Sequence, residues 1–160
     1  MKRFLKGFVY AGAGIFNCLK KERNMRVHLC FTLYMFGFLA LYDFFEISRA
    51  EYAVLLCLCA LVMSLEAVNT AIERVVDLAT KEIHPLAKAA KDAAAGAVLI
   101  SAIFSIIAGV VIMYQPAAFK KMAEYYLQHP GMLAILSVSI IISLAFVFVP
   151  SYIAKKKEKD

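Results

Sequence analysis

The 160-residue sequence has no tryptophan, only four prolines and seven glycines, and few charged residues, 19% of the chain. The scarcity of glycine and proline excludes a collagen-like or low-complexity chain, and twelve phenylalanines with eight tyrosines exclude a disordered acidic tail. Hydrophobic residues make up 62% of the chain, and the mean hydropathy is +0.72. A water-soluble globule is therefore not expected, and the composition predicts a small integral membrane protein with one domain.

Four stretches of 17 to 22 residues are apolar enough to cross the ~30 Å hydrocarbon core of a bilayer. They cover residues 29–45, 52–72, 93–114 and 131–152. The first is interrupted by a charge, so a buried or interfacial helix is the alternative for it. The predicted fold is an all-α integral membrane protein with three core transmembrane helices and an extra fourth one at the C-terminal end.

The domain boundaries follow from these spans. Residues 1–114 form the predicted membrane domain, and residues 115–160 add an external loop, the fourth span and a basic cytoplasmic tail. Residues 1–21 repeat apolar side chains at spacings of three and four, with lysines between them. This pattern predicts an amphipathic helix lying on the inner surface of the membrane.

The positive charges are distributed unevenly between the two sides of the predicted membrane domain. Fifteen of the eighteen lysines and arginines fall before the first span, between the second and third spans, or after the fourth. The positive-inside rule makes that side cytoplasmic. We expect a multi-pass protein of the inner (cytoplasmic) membrane with both ends of this sequence on the cytoplasmic side.

One wall of the second span is polar. Glu66, Asn69, Glu73 and Asp77 follow one another at spacings of three, four and four, which places them on one helix face. A carboxylate inside the bilayer costs at least ~2.5 kcal/mol and is normally retained for function. Carboxylates at a membrane boundary can bind a divalent cation or take a proton from a hydroxyl group.

A lysine stands at the other end of the loop that follows. Lys91 and Asp92 precede the small-residue run 93–97, which permits close approach of helices or of a ligand. Carboxylates, a divalent metal and a lysine together fit phosphoryl transfer. The sequence has neither a Walker A motif nor a kinase glycine-rich loop, so any nucleotide site must be unusual.

Two other functions remain open at this stage. A proton or ion relay would use Glu66, Asn69 and Glu73, but residues 52–64 offer almost no polar group to continue it outward. A scaffold protein would use Glu66 only as a hydrogen bond between helices, and Glu66→Gln would then be harmless.

The polar wall also carries a family motif. Residues 66–77 read E-x-x-N-T-A-I-E-x-x-V-D, and residues 91–98 read K-D-A-A-A-G-A-V. The pair closely resembles the signature of the small prokaryotic integral-membrane lipid kinases, the diacylglycerol kinase and undecaprenol kinase family, over residues 1–114. The resemblance implies a homotrimer whose active sites lie between subunits at the cytoplasmic interface.

The resemblance also implies roles for individual residues. Glu66 would be the general base toward a membrane lipid alcohol, with Asn69 and Ala95 beside that substrate, and Glu22 and Glu73 would hold Mg²⁺. ATP would be bound by residues from the surface helix, the polar wall and the loop: Arg3, Tyr10, Glu22, Glu73, Asp77, Glu82, Ile83, His84, Lys91 and Asp92. No nucleic-acid partner is expected.

The substrate is expected to be undecaprenol. The run of residues 22–28, E-R-N-M-R-V-H, and Thr70 within the motif look more like the undecaprenol kinase branch. Diacylglycerol is the alternative lipid. Residues 115–160 depart from the family pattern, whose members often stop after three spans.

Overall fold

The computed structural model describes the backbone of residues 2–157 and the side chains of residues 3–150. The predicted basic tail, residues 153–160, lies outside the described side chains. Six helices follow one another in the described chain, which contains no strand. Their bounds are α1 Lys2–Lys21, α2 Arg23–Leu41, α3 Arg49–Ala79, α4 Pro85–Met113, α5 Pro116–Gln128 and α6 Pro130–Lys157.

Local sequence signals set where these helices begin. Proline is the first residue of α4, α5 and α6, where its missing N–H would have no helical partner in any case. Helix α3 starts with a capping box: the Glu51 N–H donates to Ser48 Oγ at 3.2 Å, and the Ser48 N–H donates to Glu51 Oε2 at 2.8 Å.

Four of the helices are long and apolar enough to span a membrane, namely α2, α3, α4 and the 130–150 part of α6. Most of their large apolar side chains face outward; Val111 of α4, for example, is 76% exposed. Helices that are apolar all round are expected where the surrounding medium is lipid. The prediction of an all-α integral membrane protein with four membrane helices is confirmed.

Three membrane helices run beyond their predicted spans: α3 covers Arg49–Ala79 against 52–72, α4 Pro85–Met113 against 93–114, and α6 Pro130–Lys157 against 131–152. Helix α2 covers Arg23–Leu41 rather than 29–45, because charged residues at an interface can begin a helix before the apolar run starts. Tyr42 then adopts an extended backbone, and Phe44 stacks on it with ring centroids 4.8 Å apart.

The structure also differs from the prediction in the segment expected to be an external loop, which contains helix α5. This segment has no long apolar run, so hydropathy did not reveal it. Its alanines, lysines and glutamate favour a helix once Pro116 has fixed the first turn. Tyr126 of α5 is buried against the end of α2, where its hydroxyl donates to the Tyr42 hydroxyl at 3.3 Å.

Helix packing places the polar wall of α3 at the end of the bundle that holds the α1–α2 junction and the 80–84 loop. Helices α3 and α4 form the most extensive pair, joined by the short loop 80–84, and α2 packs against both α3 and α6. Helix α1 contacts α2, α3 and α6. The candidate site residues are therefore shared between α3, the 80–84 loop, the start of α4 and the junction of α1 with α2.

Candidate functional site

Glu66 is the central buried acid of the bundle, with only 3% of its surface exposed. Asn24, in the first turn of α2, and the carboxylates of Glu22 and Glu73 all lie close enough to the Glu66 carboxyl group to act on it electrostatically. Thr70, also buried, donates from its hydroxyl to the Glu66 carbonyl at 3.0 Å, within the same helix. Glu22, Glu66 and Glu73 therefore lie near one another where α3 meets the α1–α2 junction, and we call these three residues the carboxylate cluster.

Asn69 lies beside this carboxylate cluster. The nitrogen of its side-chain amide has a hydrogen-bond partner, and the oxygen has none in the described chain. Its Nδ2 donates to Glu73 Oε1 at 3.1 Å. Its Oδ1 is buried, and no residue of the described chain donates to it. A buried acceptor without a donor is rare in native structures, and it suits a site that receives a hydroxyl group or a cation.

Glu22 reaches the site from the junction between α1 and α2. It is the single residue between these helices, with an extended backbone (φ −94°, ψ 120°). Its Oε1 lies 3.6 Å from Arg74 Nη2 on α3. The pair is partly exposed, so it contributes little stability. It nevertheless ties the junction to the polar wall of α3.

A cleft of about 580 Å³ opens beyond Glu73, where the end of α3 and the start of α4 meet. This volume is in the range of small-ligand sites. Its lining includes six of the predicted nucleotide residues: Asp77, Glu82, Ile83, His84, Lys91 and Asp92. Lys81 and Lys88 also line it. The structure therefore gathers six residues predicted for one ligand around one opening.

Two contacts fix the walls of this cleft. Lys91 of α4 forms an ion pair with Asp77 of α3, across the loop. His84 caps α4, because its Nδ1 accepts a hydrogen bond from the Leu86 N–H at 3.2 Å. His84 thus has a structural role in the loop as well as its predicted role toward a nucleotide.

Three predicted residues lie apart from both the carboxylate cluster and the cleft. Arg3 and Tyr10 are exposed on α1, and within residues 3–150 no hydrogen bond or ion pair joins them to the other candidates. Ala95 is exposed on α4. Their predicted roles stay predictions.

The oxygen donors at the carboxylate cluster fit a magnesium ion. No three of the described histidine, cysteine, aspartate and glutamate side chains are grouped as a complete metal site. Mg²⁺, however, is usually held by one or two carboxylates together with substrate phosphates and water. Glu22 and Glu73, with the open Asn69 Oδ1 beside them, supply oxygen donors of that kind.

Comparison with known proteins identifies the family. The model of the prokaryotic diacylglycerol kinase family matches residues 9–113, well over half of the chain. The chain belongs to this family. The predicted resemblance is confirmed, and with it the enzyme class, a lipid kinase. The relay and scaffold alternatives are set aside.

The individual relatives are lipid kinases as well. The chain is 47% identical to the undecaprenol kinase of Bacillus subtilis over 115 residues, which cover 70% of this chain and 89% of that enzyme. It is 40% identical to a diacylglycerol kinase of Synechocystis over 113 residues, covering 70% of this chain and 63% of the relative. It is 32% identical to the diacylglycerol kinase of Pseudomonas aeruginosa over 101 residues, covering 63% of this chain and 80% of the relative.

Two residues at the candidate site were not predicted from the sequence. Asn24 was noted only within the run 22–28, and Arg74 was counted only as a charge that sets orientation. The spacing of Asn24 from Glu22 could not indicate a contact with Glu66, because that contact depends on how α2 packs on α3. Arg74 follows Glu73 directly, so it lies off the polar wall on which the prediction was based.

Proposed function

We propose that this kinase transfers the γ-phosphoryl group of ATP to the hydroxyl group of undecaprenol at the cytoplasmic face of the membrane. One observation carries the proposal: the buried Glu66 and Asp77, which lines the cleft together with Lys91 of α4, lie on one face of α3 about three turns, or ~16 Å, apart. A lipid alcohol in the bilayer and a nucleotide in the cytoplasm can therefore meet along one helix wall.

The chemistry follows from the positions of the side chains. Ionised Glu66 removes the proton of the lipid hydroxyl, and the oxygen attacks the γ-phosphorus. The bond between that phosphorus and the β–γ bridging oxygen breaks, so the products are the lipid phosphate and ADP. Asn69 Oδ1, which has no donor within the described chain, is placed to accept from the hydroxyl as the lipid enters and so to orient it before its one proton turns to Glu66. Ala95 leaves room for the lipid head.

ATP is proposed to occupy the 580 Å³ cleft. The ammonium groups of Lys81, Lys88 and Lys91 balance the triphosphate, while Glu82, Ile83 and His84 border the nucleoside end. Arg3 and Tyr10 would complete the site from α1, as the family resemblance implies.

Mg²⁺ is proposed to be held by Glu22 and Glu73. When bound, it neutralises charge on the β- and γ-phosphates. The Glu22–Arg74 pair is long, at 3.6 Å, and partly exposed, so a divalent cation can compete with it. Glu22→Gln and Glu73→Gln should each raise the Mg²⁺ concentration needed for half-maximal rate.

We further propose a homotrimer with intersubunit active sites in the inner membrane, and both ends of this sequence in the cytoplasm. The charge distribution supports the orientation. The small-residue run 93–97 supports the assembly: Ala93 and Ala95 are exposed, and no atom lies within 4 Å of a Cβ built at Gly96. Small residues left open in this way permit close helix approach.

The substrate choice rests on identity, which is higher to the undecaprenol kinase, 47%, than to the diacylglycerol kinases, 40% and 32%. Diacylglycerol is the second candidate, because the family model that matches residues 9–113 is that of the prokaryotic diacylglycerol kinases.

The test is phosphate transfer from radiolabelled ATP with Mg²⁺ by the purified protein in mixed micelles that contain undecaprenol or diacylglycerol. Glu66→Gln should reduce the rate by about 10²–10⁴-fold, the usual contribution of a general base. Glu124→Gln, the same chemical change on exposed α5, is the matched control. Preferential labelling of diacylglycerol would overturn the substrate proposal, and full activity of Glu66→Gln would overturn the base.

A further inference from the structure

Arg26, in the first turn of α2, has only 1% of its surface exposed. Its Nη1 donates to the carbonyls of Leu19 and Lys20, each at 3.0 Å. Its Nε and Nη2 both donate to the Val147 carbonyl, at 3.2 and 3.1 Å. A buried guanidinium is tolerated only when its donors are satisfied. Here the acceptors come from the end of α1 and from α6.

The acceptors on α1 fix the junction that carries Glu22. Leu19 and Lys20 lie in the last turn of α1, where carbonyl groups have no helical partner. Glu22 follows with an extended backbone. Arg26 therefore closes the bend around Glu22, and Asn24, which lies near the Glu66 carboxyl group, belongs to the same bend.

The acceptor on α6 comes from outside the region that the family model matches, residues 9–113. Val147 lies three residues before Pro150, which is inside the helix. Proline lacks the N–H that would bond to the Phe146 carbonyl, and its ring presses on that carbonyl, so the backbone ladder is interrupted in the turn that contains Val147. A carbonyl oxygen has two lone pairs and can accept both Arg26 donors.

A second polar contact holds α6 in register along α2. The Tyr34 hydroxyl lies 2.9 Å from Ser139 Oγ and 3.2 Å from Ser143 Oγ. Tyr34 is eight residues beyond Arg26, about 12 Å along the helix axis. Hydrogen bonds between membrane helices favour one alignment over others, so Val147 is kept opposite Arg26.

We propose that α6 clamps the α1–α2 junction: the Val147 carbonyl anchors Arg26, and Arg26 holds Glu22 and Asn24 beside Glu66. Arg26 is a positioning residue and touches neither substrate nor metal. The extra helix of this kinase thereby contributes to its active site from a distance. The proposal rests on the proposed function in one respect, the role of Glu22 toward Mg²⁺.

The test uses full-length variants. Arg26→Lys keeps the charge, but a single ammonium group cannot span carbonyls on two helices. The double change Ser139→Ala and Ser143→Ala loosens α6 without touching Arg26, so it serves if Arg26→Lys does not fold. Ser137→Ala is the matched control on α6, because that exposed hydroxyl donates only to the Leu133 carbonyl of its own helix.

The first readout is independent of activity. Cys18, one residue before Leu19, is buried, and the other three cysteines can be replaced by alanine to leave it as the single thiol. Its alkylation by a water-soluble maleimide in mixed micelles should be severalfold faster in Arg26→Lys and in the double serine variant. Ser137→Ala should match the wild type.

The second readout is the Mg²⁺ dependence of lipid phosphorylation. Both test variants should need severalfold more Mg²⁺ for half-maximal rate and keep the rate at saturating Mg²⁺. An unchanged Cys18 alkylation rate in both variants would overturn the clamp. A faster rate in Arg26→Lys alone would show that α6 takes no part in it. Faster alkylation with an unchanged Mg²⁺ requirement would overturn the positioning role of Arg26. A wild type that phosphorylates neither lipid would overturn the proposed function, while the alkylation rates would still decide the clamp.

Discussion

Asn69 holds Glu73 through a 3.1 Å hydrogen bond from its Nδ2, while no described residue donates to its buried Oδ1. Asn69 thus links a proposed metal ligand to the place where the lipid hydroxyl is proposed to sit. The role of the Asn69 amide can therefore be tested by a substitution that leaves Glu66 and Glu73 unchanged.

Asn69→Asp keeps the shape of the side chain but removes the donor and adds a negative charge. A hydrogen bond to a charged group contributes ~1.5–3 kcal/mol, so the rate should fall by about tenfold or more. The measurement is lipid phosphorylation at saturating ATP. Asn17→Asp on exposed α1 is the matched control. Equal rates for Asn69→Asp and the wild type would contradict the role of Asn69.

Lys91→Met removes an ammonium group from the proposed ATP cleft. The KM for ATP should rise by about tenfold or more, because a charge-assisted hydrogen bond to phosphate is lost. Thermal stability should hardly change, since the ion pair with Asp77 is partly exposed. Lys120→Met removes a similar exposed pair with Glu124 on α5. An unchanged KM in Lys91→Met would place ATP elsewhere.

His84 is predicted to act both as the cap of α4 and as a border of the cleft. His84→Ala should lower the free energy of unfolding by about 1 kcal/mol, as loss of an N-cap does, and His84→Asn should restore it. Both variants should raise the KM for ATP, because both remove the ring. Thermal unfolding and ATP titrations measure the two effects. A wild-type KM in His84→Asn would leave the cap as the sole role.

Tyr126 connects α5 to the end of α2, and burial together with its hydrogen bond to Tyr42 raises its pKa above the ordinary value. A group whose pKa is raised on folding gives its full stability below the unfolded value, about 10 for tyrosine. That stability is lost as the pH rises further. We therefore expect the melting temperature to fall above about pH 10.

Tyr126→Phe tests this assignment. The variant should be less stable at neutral pH, because the Tyr42 hydroxyl loses its donor, and its melting temperature should fall less between pH 9 and 11. Melting curves recorded across that range compare the two proteins. Identical pH profiles for wild type and Tyr126→Phe would assign the alkaline transition to another group.

Glu66 and the other members of the polar wall could be predicted from the sequence because the evidence for them is local. A spacing of three and four places side chains on one helix face whatever that helix packs against. The cleft at Asp77 and Lys91 needed the structure, because the predicted spans leave a connection of residues 73–92 and only the observed ends of α3 and α4 shorten it to 80–84. Helix α5 escaped prediction because hydropathy measures apolar length and says little about a short polar helix.

The sequence by itself determined the membrane helices, the uneven distribution of positive charge between the two sides and the family, because apolar length, charge and motif spacing are read along the chain. Only the tertiary structure decided what meets across the chain: Asn24 with Glu66, Glu22 with Arg74, and Arg26 with the Val147 carbonyl, 121 residues away. These contacts depend on the order and rotation of packed helices. The lipid-like exterior of each helix leaves that order and rotation undetermined until a few buried polar groups find their partners.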